Sequence, residues 1–338
     1  MDNLILYLSS LVLGGAGAWL ITRWGGGFGL LDKACDRSSH EGVVPKGGGV
    51  GILAAFLLSS WLLGLPILFW MSAGLISLLS LYGDRREISP KIRLIIQFIA
   101  SIGLLSGLFF WEGRGGTVYL LIPFFSIFMT GTANYYNFMD GINGIAGITG
   151  GVGFGLISFF AVFSGNSESI ANLSVCMGLA CLGFLPFNLP KAQVFMGDVG
   201  SVLLGFVYAA LVVGLSDSLN DFLVLCMFMF PFYADELTTL YVRIKKEYPL
   251  IKNNQMAGLI NSLMRPHRKH LYQLLANEMR IEHWKISLGY GVLQIVVGIG
   301  ALVLGRYGNL MVLFFGGGCF VGVMILSHIV RGKIGENY

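Results

Sequence analysis

Long apolar runs recur along the whole chain and are separated by short polar connections. Most are close to the roughly 20 residues that an α-helix needs to cross the hydrocarbon core of a bilayer. The pattern therefore predicts an all-α fold, a polytopic membrane bundle of about eleven transmembrane helices. The predicted spans are centred in residues 4–21, 50–65, 67–81, 94–110, 118–131, 145–163, 170–187, 199–215, 222–240, 286–304 and 310–330.

Two features leave the number of spans open. Pro66 alone separates the second run from the third, and the fifth run is short, so ten or twelve spans also fit the pattern. We interpret residues 1–338 as one transmembrane domain, because a chain that lies mostly inside a bilayer is better described as one bundle than by the usual length of soluble domains.

The composition excludes a soluble fold. Of the 338 residues, 55% are apolar and 12% are charged, against about 25% charged residues in an ordinary soluble domain. The mean hydropathy is +0.74. The 48 glycines agree with a membrane bundle, because glycine lets helices approach closely in lipid. The lipid bilayer is therefore a predicted partner, and no nucleic-acid partner is expected.

The distribution of Lys and Arg predicts the orientation of the bundle. With the amino terminus outside, 20 of the 22 basic residues fall in inner loops, and only Arg114 and Arg306 fall outside. Cytoplasmic loops carry an excess of Lys and Arg. We therefore expect a cytoplasmic carboxyl terminus and a cytoplasmic loop at about residues 241–285.

Five polar clusters fall in these inner loops, and the first two are individually weak signals. Lys46 precedes three glycines whose N–H groups could cradle an anion, although such a run before a helix also forms ordinary turns. Asp84 ends the third span with basic residues on its far side. Anchoring of a helix end by those bases would explain the second cluster equally well.

The third cluster repeats a polar residue every three positions between two apolar spans. Asn137, Asp140 and Asn143 belong to this series. Residues three apart share a helix surface, so the set can wrap around a polar ligand or a metal ion. A turn would explain one Asn-Gly pair but not the whole series.

The fourth cluster contains Asn188, Phe195 and Asp198, and its carboxylate stands at the start of a membrane helix. An ordinary helix cap would explain Asp198. The glycines at 197 and 200, however, indicate that something approaches the backbone closely.

The fifth cluster places His267, Arg268, Lys269 and His270 in succession. These groups suit a diphosphate better than a metal ion, because Arg and Lys repel a cation and bind phosphate oxygens. A basic face against anionic lipid is the alternative.

All five clusters share the inner side, which predicts one composite site. Asp84, Asp140 and Asp198 favour a hard cation such as Mg²⁺, and Mg²⁺ beside basic residues favours diphosphate chemistry. No Walker A motif, HExxH motif or Ser-His-Asp elbow is present. The residues therefore predict a Mg²⁺-dependent enzyme that moves a phosphorylated group at the cytoplasmic membrane surface.

The order and spacing of the clusters resemble the polyprenyl-phosphate N-acetylhexosamine-1-phosphate transferases, the family that includes phospho-N-acetylmuramoyl-pentapeptide transferase. The specific parts are Asn137-Phe-Met-Asp140-Gly-Ile-Asn143-Gly and Phe195-Met-Gly-Asp198-Val-Gly-Ser201. Pro266-His-Arg-Lys-His-Leu-Tyr-Gln is similar to the branch that initiates O-antigen or capsule units. The resemblance implies transfer of a sugar 1-phosphate from a UDP-N-acetyl amino sugar to undecaprenyl phosphate, with release of UMP.

The resemblance also implies roles for individual residues. Asp198, with Asp140, would bind Mg²⁺, with Mn²⁺ as an alternative metal. Asp84 and His267 would join these two acids in catalysis. The substrate-binding set would be Lys46, Asn137, Asn143, Asn188, Phe195, Arg268 and His270, with Asn188 and Phe195 at the uracil and His267, Arg268 and His270 at the diphosphate.

Two positions depart from the family pattern. Gly83 stands where the family usually has the first of two aspartates, the one often proposed to deprotonate or position the lipid phosphate. Asn143 stands where many members have Asp. A phosphate monoester is already mostly dianionic at pH 7, so loss of a base need not abolish the reaction. The departure would then either lower the rate or mark a member that binds without turnover.

The resemblance further implies a multi-pass protein of the bacterial inner membrane with a cytoplasmic active site. A homodimer fits the family habit, but no interface is visible in the sequence. A secondary transporter of an anionic substrate is an alternative from another class. It would place charged residues near span midpoints, whereas here they stand at span ends. The sequence does not identify the sugar.

Overall fold

The computed structural model describes residues 3–34, 39, 42–86, 88–165, 167–246 and 268–335. The helices are α1 (Asn3–Trp24), α2 (Val50–Leu62), α3 (Ile67–Arg85), α4 (Pro90–Trp111), α5 (Ile122–Met139), α6 (Ile145–Phe163), α7 (Glu168–Asn188), α8 (Asp198–Leu215), α9 (Leu219–Met227), α10 (Phe230–Lys246), α11 (His283–Gly305) and α12 (Asn309–Lys333). A 3₁₀ helix (Gly116–Leu121) precedes α5, and Leu271–Gln273 with the π-helical turn Leu274–Glu278 forms a short helix, 271–278. Strands β1 (Leu31–Lys33) and β2 (Val43–Pro45) pair antiparallel.

The predicted helical membrane bundle is confirmed, but fewer than eleven helices are full-length spans. In the described part of the chain, nine helices are long and apolar enough to cross a membrane, or ten if α9 and α10 count as one span. These two helices meet at 83°, and α2 has only 13 residues. The α2 helix ends early because Gly64 adopts a φ of 68° and Pro66 has no N–H to donate.

Helix α8 forms the centre of the bundle. All of its residues from Val199 to Leu215 are buried, and 94% of its most apolar window is inside the protein, against 28% for α1. A helix that is apolar on every face belongs in the middle of a bundle. Helices α3 and α5 pack along it, so the first residue of α8, Asp198, is surrounded by neighbouring helix ends.

Small residues set the spacing between α1 and α7. A Cβ atom at Gly183 would overlap the carbonyl oxygen of Leu11, and one at Gly14 would overlap the carbonyl oxygen of Ala180. The two backbones therefore touch. Close backbone contact supplies van der Waals attraction between the two helices. This attraction matters in lipid, because lipid tails are as apolar as the helices and the hydrophobic effect does not drive the helices together.

One end of the bundle collects the polar clusters, and we call it the site end. Helices α3, α5 and α7 end there, and α4, α6 and α8 begin there. The contacts between Arg93 and Asp198 and between Gly144 and Asn188 join these termini. The β1–β2 hairpin leads into the same region, because the backbone of Lys46, which follows β2, forms an isolated parallel β-bridge with the backbone of Phe195.

Substitution of Gly183 by Ala is expected to destabilise the protein. The added methyl group meets backbone rather than a flexible side chain, so α1 and α7 must separate, at a cost of about 1–3 kcal/mol. The thermal unfolding midpoint in detergent should therefore fall. Gly155→Ala is the matched control, since a Cβ at Gly155 meets no described atom within 4 Å. Equal midpoints for the two variants would contradict this packing.

Candidate active site

Three carboxylates stand at helix termini of the site end. Asp84 lies in the last turn of α3, Asp140 directly follows α5, and Asp198 is the first residue of α8. Burial, followed by the negative charges of Asp198 and Asp84, raises the pKa of the Asp140 carboxyl well above its usual range. The three predicted acids, which are far apart in sequence, therefore interact electrostatically in the folded chain.

Two cations face these acids. Lys46 Nζ lies 3.6 Å from Asp84 Oδ1, and Arg93 Nη1 donates to Asp198 Oδ2 at 2.5 Å. Sequence reasoning identified Lys46 but counted Arg93 only as a basic residue of a loop. The available signal was its position in the first turn of an apolar span, three residues after Pro90, where it shares the membrane edge with the acids.

The predicted anion cradle of glycines is wrong. Gly47 and Gly48 donate their N–H groups to the carbonyl of Phe195 at 3.1 and 2.9 Å, and Gly49 donates to the carbonyl of Met196 at 2.9 Å. A buried N–H needs a partner, and here the backbone of the 195–196 loop supplies it. The glycines therefore dock one loop on another, and Lys46 is the group of this cluster that faces the acids.

Gly197 is required where this loop passes the acids. It has a φ of 74°, and a Cβ atom there would come within 2.9 Å of Asp84 Oδ2 and 2.7 Å of the Gly47 nitrogen. A side chain would be strained and would push Asp84 away from Asp198. The sequence signal at Gly197 thus reflects close approach of the Asp84 carboxylate and a neighbouring backbone.

The asparagines of the site hold its loops together. Asn137 Oδ1 accepts from Ser201 Oγ at 2.6 Å, which ties the end of α5 to α8. Asn143 donates through Nδ2 to the Pro190 carbonyl at 3.2 Å, and its N–H donates to His283 Nδ1 at 3.3 Å. Asn137 and Asn143 therefore anchor the chain on either side of Asp140.

Asn188 and Phe195 adjoin the same loops. Asn188 is buried, accepts from the Gly144 N–H at 2.6 Å and donates to the Val194 carbonyl at 2.8 Å. Phe195 is half-buried, and its N–H donates to the Pro45 carbonyl at 2.8 Å. Both amide atoms of Asn188 are engaged with backbone, while its predicted contact with uracil, like that of Phe195, stays a prediction.

The acids suit a magnesium ion held in part by other oxygens. Asp84 Oδ2 is buried and has no hydrogen-bond partner in the part of the chain that the structure describes. Among the described residues, no three Asp, Glu, His or Cys side chains come close enough to share one metal ion. Magnesium commonly takes one or two carboxylates and completes its shell with water and substrate phosphates. The residues present fit that pattern.

The structure describes only part of the cationic cluster 267–270, and two of its described residues lie near acids other than Asp84, Asp140 and Asp198. His267 lies outside the described residues. Arg268 is exposed and lies 3.8 Å from Glu278. His270 is buried, and its Nδ1 lies 3.4 Å from Glu236 and 3.9 Å from Asp235.

The described structure therefore does not bring His270 to the three acids. Burial lowers the pKa of the His270 imidazole, with an opposing effect from the charge of Asp235. The predicted contact of His270 with a diphosphate stays a prediction.

Gly83 lies against Arg93. A Cβ atom at Gly83 would come within 2.8 Å of Arg93 Nη2. The guanidinium that pairs with Asp198 thus occupies the space in front of the position where the resembled family has an aspartate.

Comparison with known families agrees with this geometry. The family model described as Glycosyl transferase family 4 matches residues 66–216. That range contains Asp84, Asp140 and Asp198, together with Arg93.

Curated relatives carry consistent names. A probable undecaprenyl-phosphate N-acetylglucosaminyl 1-phosphate transferase of Bacillus subtilis is 29% identical over 208 residues, covering 57% of this chain and 58% of the relative. Undecaprenyl-phosphate alpha-N-acetylglucosaminyl 1-phosphate transferases of Yersinia pestis and Escherichia coli K12 are 27% and 30% identical over 270 and 199 residues. These matches cover 73% and 53% of this chain and 69% and 53% of the relatives. The chain therefore spans about half to two thirds of each relative's length.

Replacement of Asn188 by Asp is expected to destabilise the site end. A carboxylate cannot donate to the buried Val194 carbonyl, and we expect a loss of about 1–3 kcal/mol. Thermal unfolding in detergent measures it. The same substitution at Asn143, whose amide is at the surface, is the control and should change the midpoint less. A midpoint unchanged by Asn188→Asp would show that this bridge is not needed.

Proposed function

We propose that this chain belongs to glycosyl transferase family 4 and that it transfers an N-acetylhexosamine 1-phosphate from a UDP-sugar to undecaprenyl phosphate. The observation that carries the proposal is the convergence of Asp84, Asp140 and Asp198 with Lys46 and Arg93 at one end of a membrane bundle. The names of the curated relatives support the same reaction.

The proposed reaction exchanges one phosphoanhydride bond for another. An oxygen of undecaprenyl phosphate attacks the sugar-linked phosphorus of the UDP-sugar. A new P–O bond forms, the diphosphate bond to the uridine-linked phosphate breaks, and the bridging oxygen leaves with UMP. No covalent enzyme intermediate is needed, because the acceptor phosphate is itself the nucleophile.

Asp198 and Asp140 are the proposed ligands of Mg²⁺, or of Mn²⁺. When bound, such an ion would offset the charge that accumulates as two phosphate groups approach each other. The buried Asp84 Oδ2, which accepts no hydrogen bond from any described residue, supports a cation requirement at this place.

Lys46 and Arg93 would also offset the negative charge of the two approaching phosphate groups. Lys46 and Arg93 are preorganised by their pairs with Asp84 and Asp198, so little reorganisation is needed when phosphates enter. Asn137 and Ser201 hold the ends of α5 and α8 in register around these groups. The position of the acids at helix ends leaves the acceptor's polyprenyl chain in lipid while its phosphate meets the site.

Several finer points belong to the same proposal. The bacterial inner membrane is supported by the family resemblance, and a cytoplasmic site by the distribution of Lys and Arg. Initiation of O-antigen, lipopolysaccharide or another envelope glycan follows from the resemblance of the His267–His270 cluster. A homodimer is compatible with the family pattern.

Purified protein with undecaprenyl phosphate, Mg²⁺ and a panel of UDP-N-acetyl amino sugars is expected to release UMP. Asp198→Asn should reduce Mg²⁺-dependent release by at least about a hundredfold, because it removes a charged metal ligand, while thermal unfolding still reports a folded protein. Asp221→Asn is the control, since Asp221 lies in the first turn of α9, where its carboxylate accepts an exposed hydrogen bond from the hydroxyl of the capping residue Ser218. Absence of UMP with every donor would contradict the enzyme, and full activity of Asp198→Asn would contradict the metal assignment.

Gly83→Asp is expected to raise turnover by about tenfold, since a carboxylate would be placed where a base or positioning group acts. Arg93 can yield, because the crowded atoms are the far end of its flexible side chain. Gly83→Asn has the same size without the charge and should not raise the rate. Steady-state UMP release measures both. A wild-type protein that binds nucleotide without turnover, but becomes active as Gly83→Asp, would identify a silent family member; no gain from Asp would show that Gly83 is not a missing carboxylate.

A further inference from the structure

We infer that Asp235 and Arg331 are positioning residues that hold the cationic segment Arg268–His270 in register with Asp140. The inference rests on the proposed function, because the segment is predicted to bind the diphosphate of the donor. Neither Asp235 nor Arg331 is near the three acids in sequence, and both are 1% exposed.

Asp235 acts as a cap for the short helix 271–278. Its Oδ1 accepts from the Leu271 N–H at 2.7 Å, and its Oδ2 accepts from the Tyr272 N–H at 3.2 Å and from the Tyr290 hydroxyl at 2.6 Å. The first N–H groups of a helix have no partner within the helix. A carboxylate on α10 therefore fixes where this helix begins.

Arg331 holds the backbone at Lys269, two residues before Leu271. From α12 it donates through Nη2 to the Lys269 carbonyl at 2.5 Å and through Nε to Ser327 Oγ at 3.2 Å. The backbone from Lys269 to Tyr272 is thus bonded by an acid of α10 and a base of α12 within four residues. Two buried charged side chains define its position.

Tyr272 transmits this position to the acid site. Its hydroxyl donates to the Phe138 carbonyl at 2.9 Å, and its ring atoms lie so close to Gly141 that a Cβ there would overlap the hydroxyl. Phe138 and Gly141 flank Asp140 in sequence. The anchored segment therefore contacts the loop that presents Asp140.

Arg268 is the residue that this anchor presents. It directly precedes Lys269, and its side chain is 45% exposed. A guanidinium on a backbone that is already held pays less entropy when it binds a phosphate than one on an unconstrained loop. The anchor therefore acts on the affinity for the diphosphate donor.

Stability alone does not account for the two charges. Buried charged groups lose solvation, and apolar residues of similar volume are often at least as stabilising. Asp235 and Arg331 are directed instead at backbone groups of one short segment. That use is the mark of a positioning role.

The kinetic test uses Asp235→Asn, Arg331→Met and Arg331→Lys in the full chain. The amide that Asp235→Asn introduces would turn an N–H group toward one of the two backbone donors, so one bond to a charged acceptor is lost. We expect the KM for the UDP-sugar to rise about tenfold in Asp235→Asn and Arg331→Met. The KM for undecaprenyl phosphate should stay unchanged, and Arg331→Lys should restore part of the donor affinity.

A matched control separates positioning from loss of stability. Gln294 is fully buried on α11, one turn beyond Tyr290, and donates to the carbonyls of Thr149 and Phe228. Gln294→Leu should lower the unfolding midpoint without changing either KM. A general loss of stability reduces the active fraction and therefore the maximal rate, but not the KM for one substrate.

Hydrogen exchange provides a readout that does not depend on activity. Of the Leu271 and Tyr272 amides, the one that faces the new N–H group in Asp235→Asn should exchange at least about tenfold faster, because it loses its acceptor; both should remain protected in Gln294→Leu. If wild type exchanges slowly but releases no UMP, the proposed function fails while the anchor stands. Unchanged exchange in Asp235→Asn, or an equal rise of both KM values, would overturn the anchor.

Discussion

The ion pair between Arg93 and Asp198 is the interaction on which the site end depends. It joins the first turn of α4 to the first residue of the buried central helix α8. The three acids at this end would otherwise repel one another at the edge of an apolar bundle, where charges are weakly screened. With Lys46 beside Asp84, each of two acids has its own cation. These two pairs lower the repulsion among the acids, so the acids can remain close together.

Close backbone contacts make this pairing possible. Gly49 and Gly200 approach so nearly that a Cβ on either would overlap the other's backbone. Gly197 gives the same closeness beside Asp84. Glycine in a membrane bundle usually serves helix packing, and here the same property lets the loop before α8 lie against the backbone of Gly47–Gly49 and beside Asp84. The stability of the bundle and the assembly of the site therefore share residues.

Polar groups that look like ligand-binding residues also have structural duties. The N–H groups of Gly47–Gly49 and both amide atoms of Asn188 bond to backbone. In an apolar surrounding an unpaired polar group costs free energy, so loops at the membrane edge must satisfy their own backbone first. Asp235 on α10 is a further example, because its carboxylate accepts hydrogen bonds from the N–H groups of Leu271 and Tyr272, directly after His270.

The amino-acid sequence by itself determined the class of fold and the approximate positions of most helices, and it singled out Asp84, Asp140 and Asp198 as candidate acids. Those features follow from local properties: apolar length, the placement of Lys and Arg, and polar residues at fixed spacing. The length of α2 and the bend between α9 and α10 required the structure.

The tertiary structure alone decided which groups face one another. Arg93 meets Asp198 across 105 positions of the chain, and Arg331 meets Lys269 across 62. It also decided that His270 lies with Asp235 rather than with the three acids. The physical reason is that the interaction between two charges depends on their distance in space. Helix packing sets that distance, and it produces no periodic pattern in the sequence from which the pairs could be predicted.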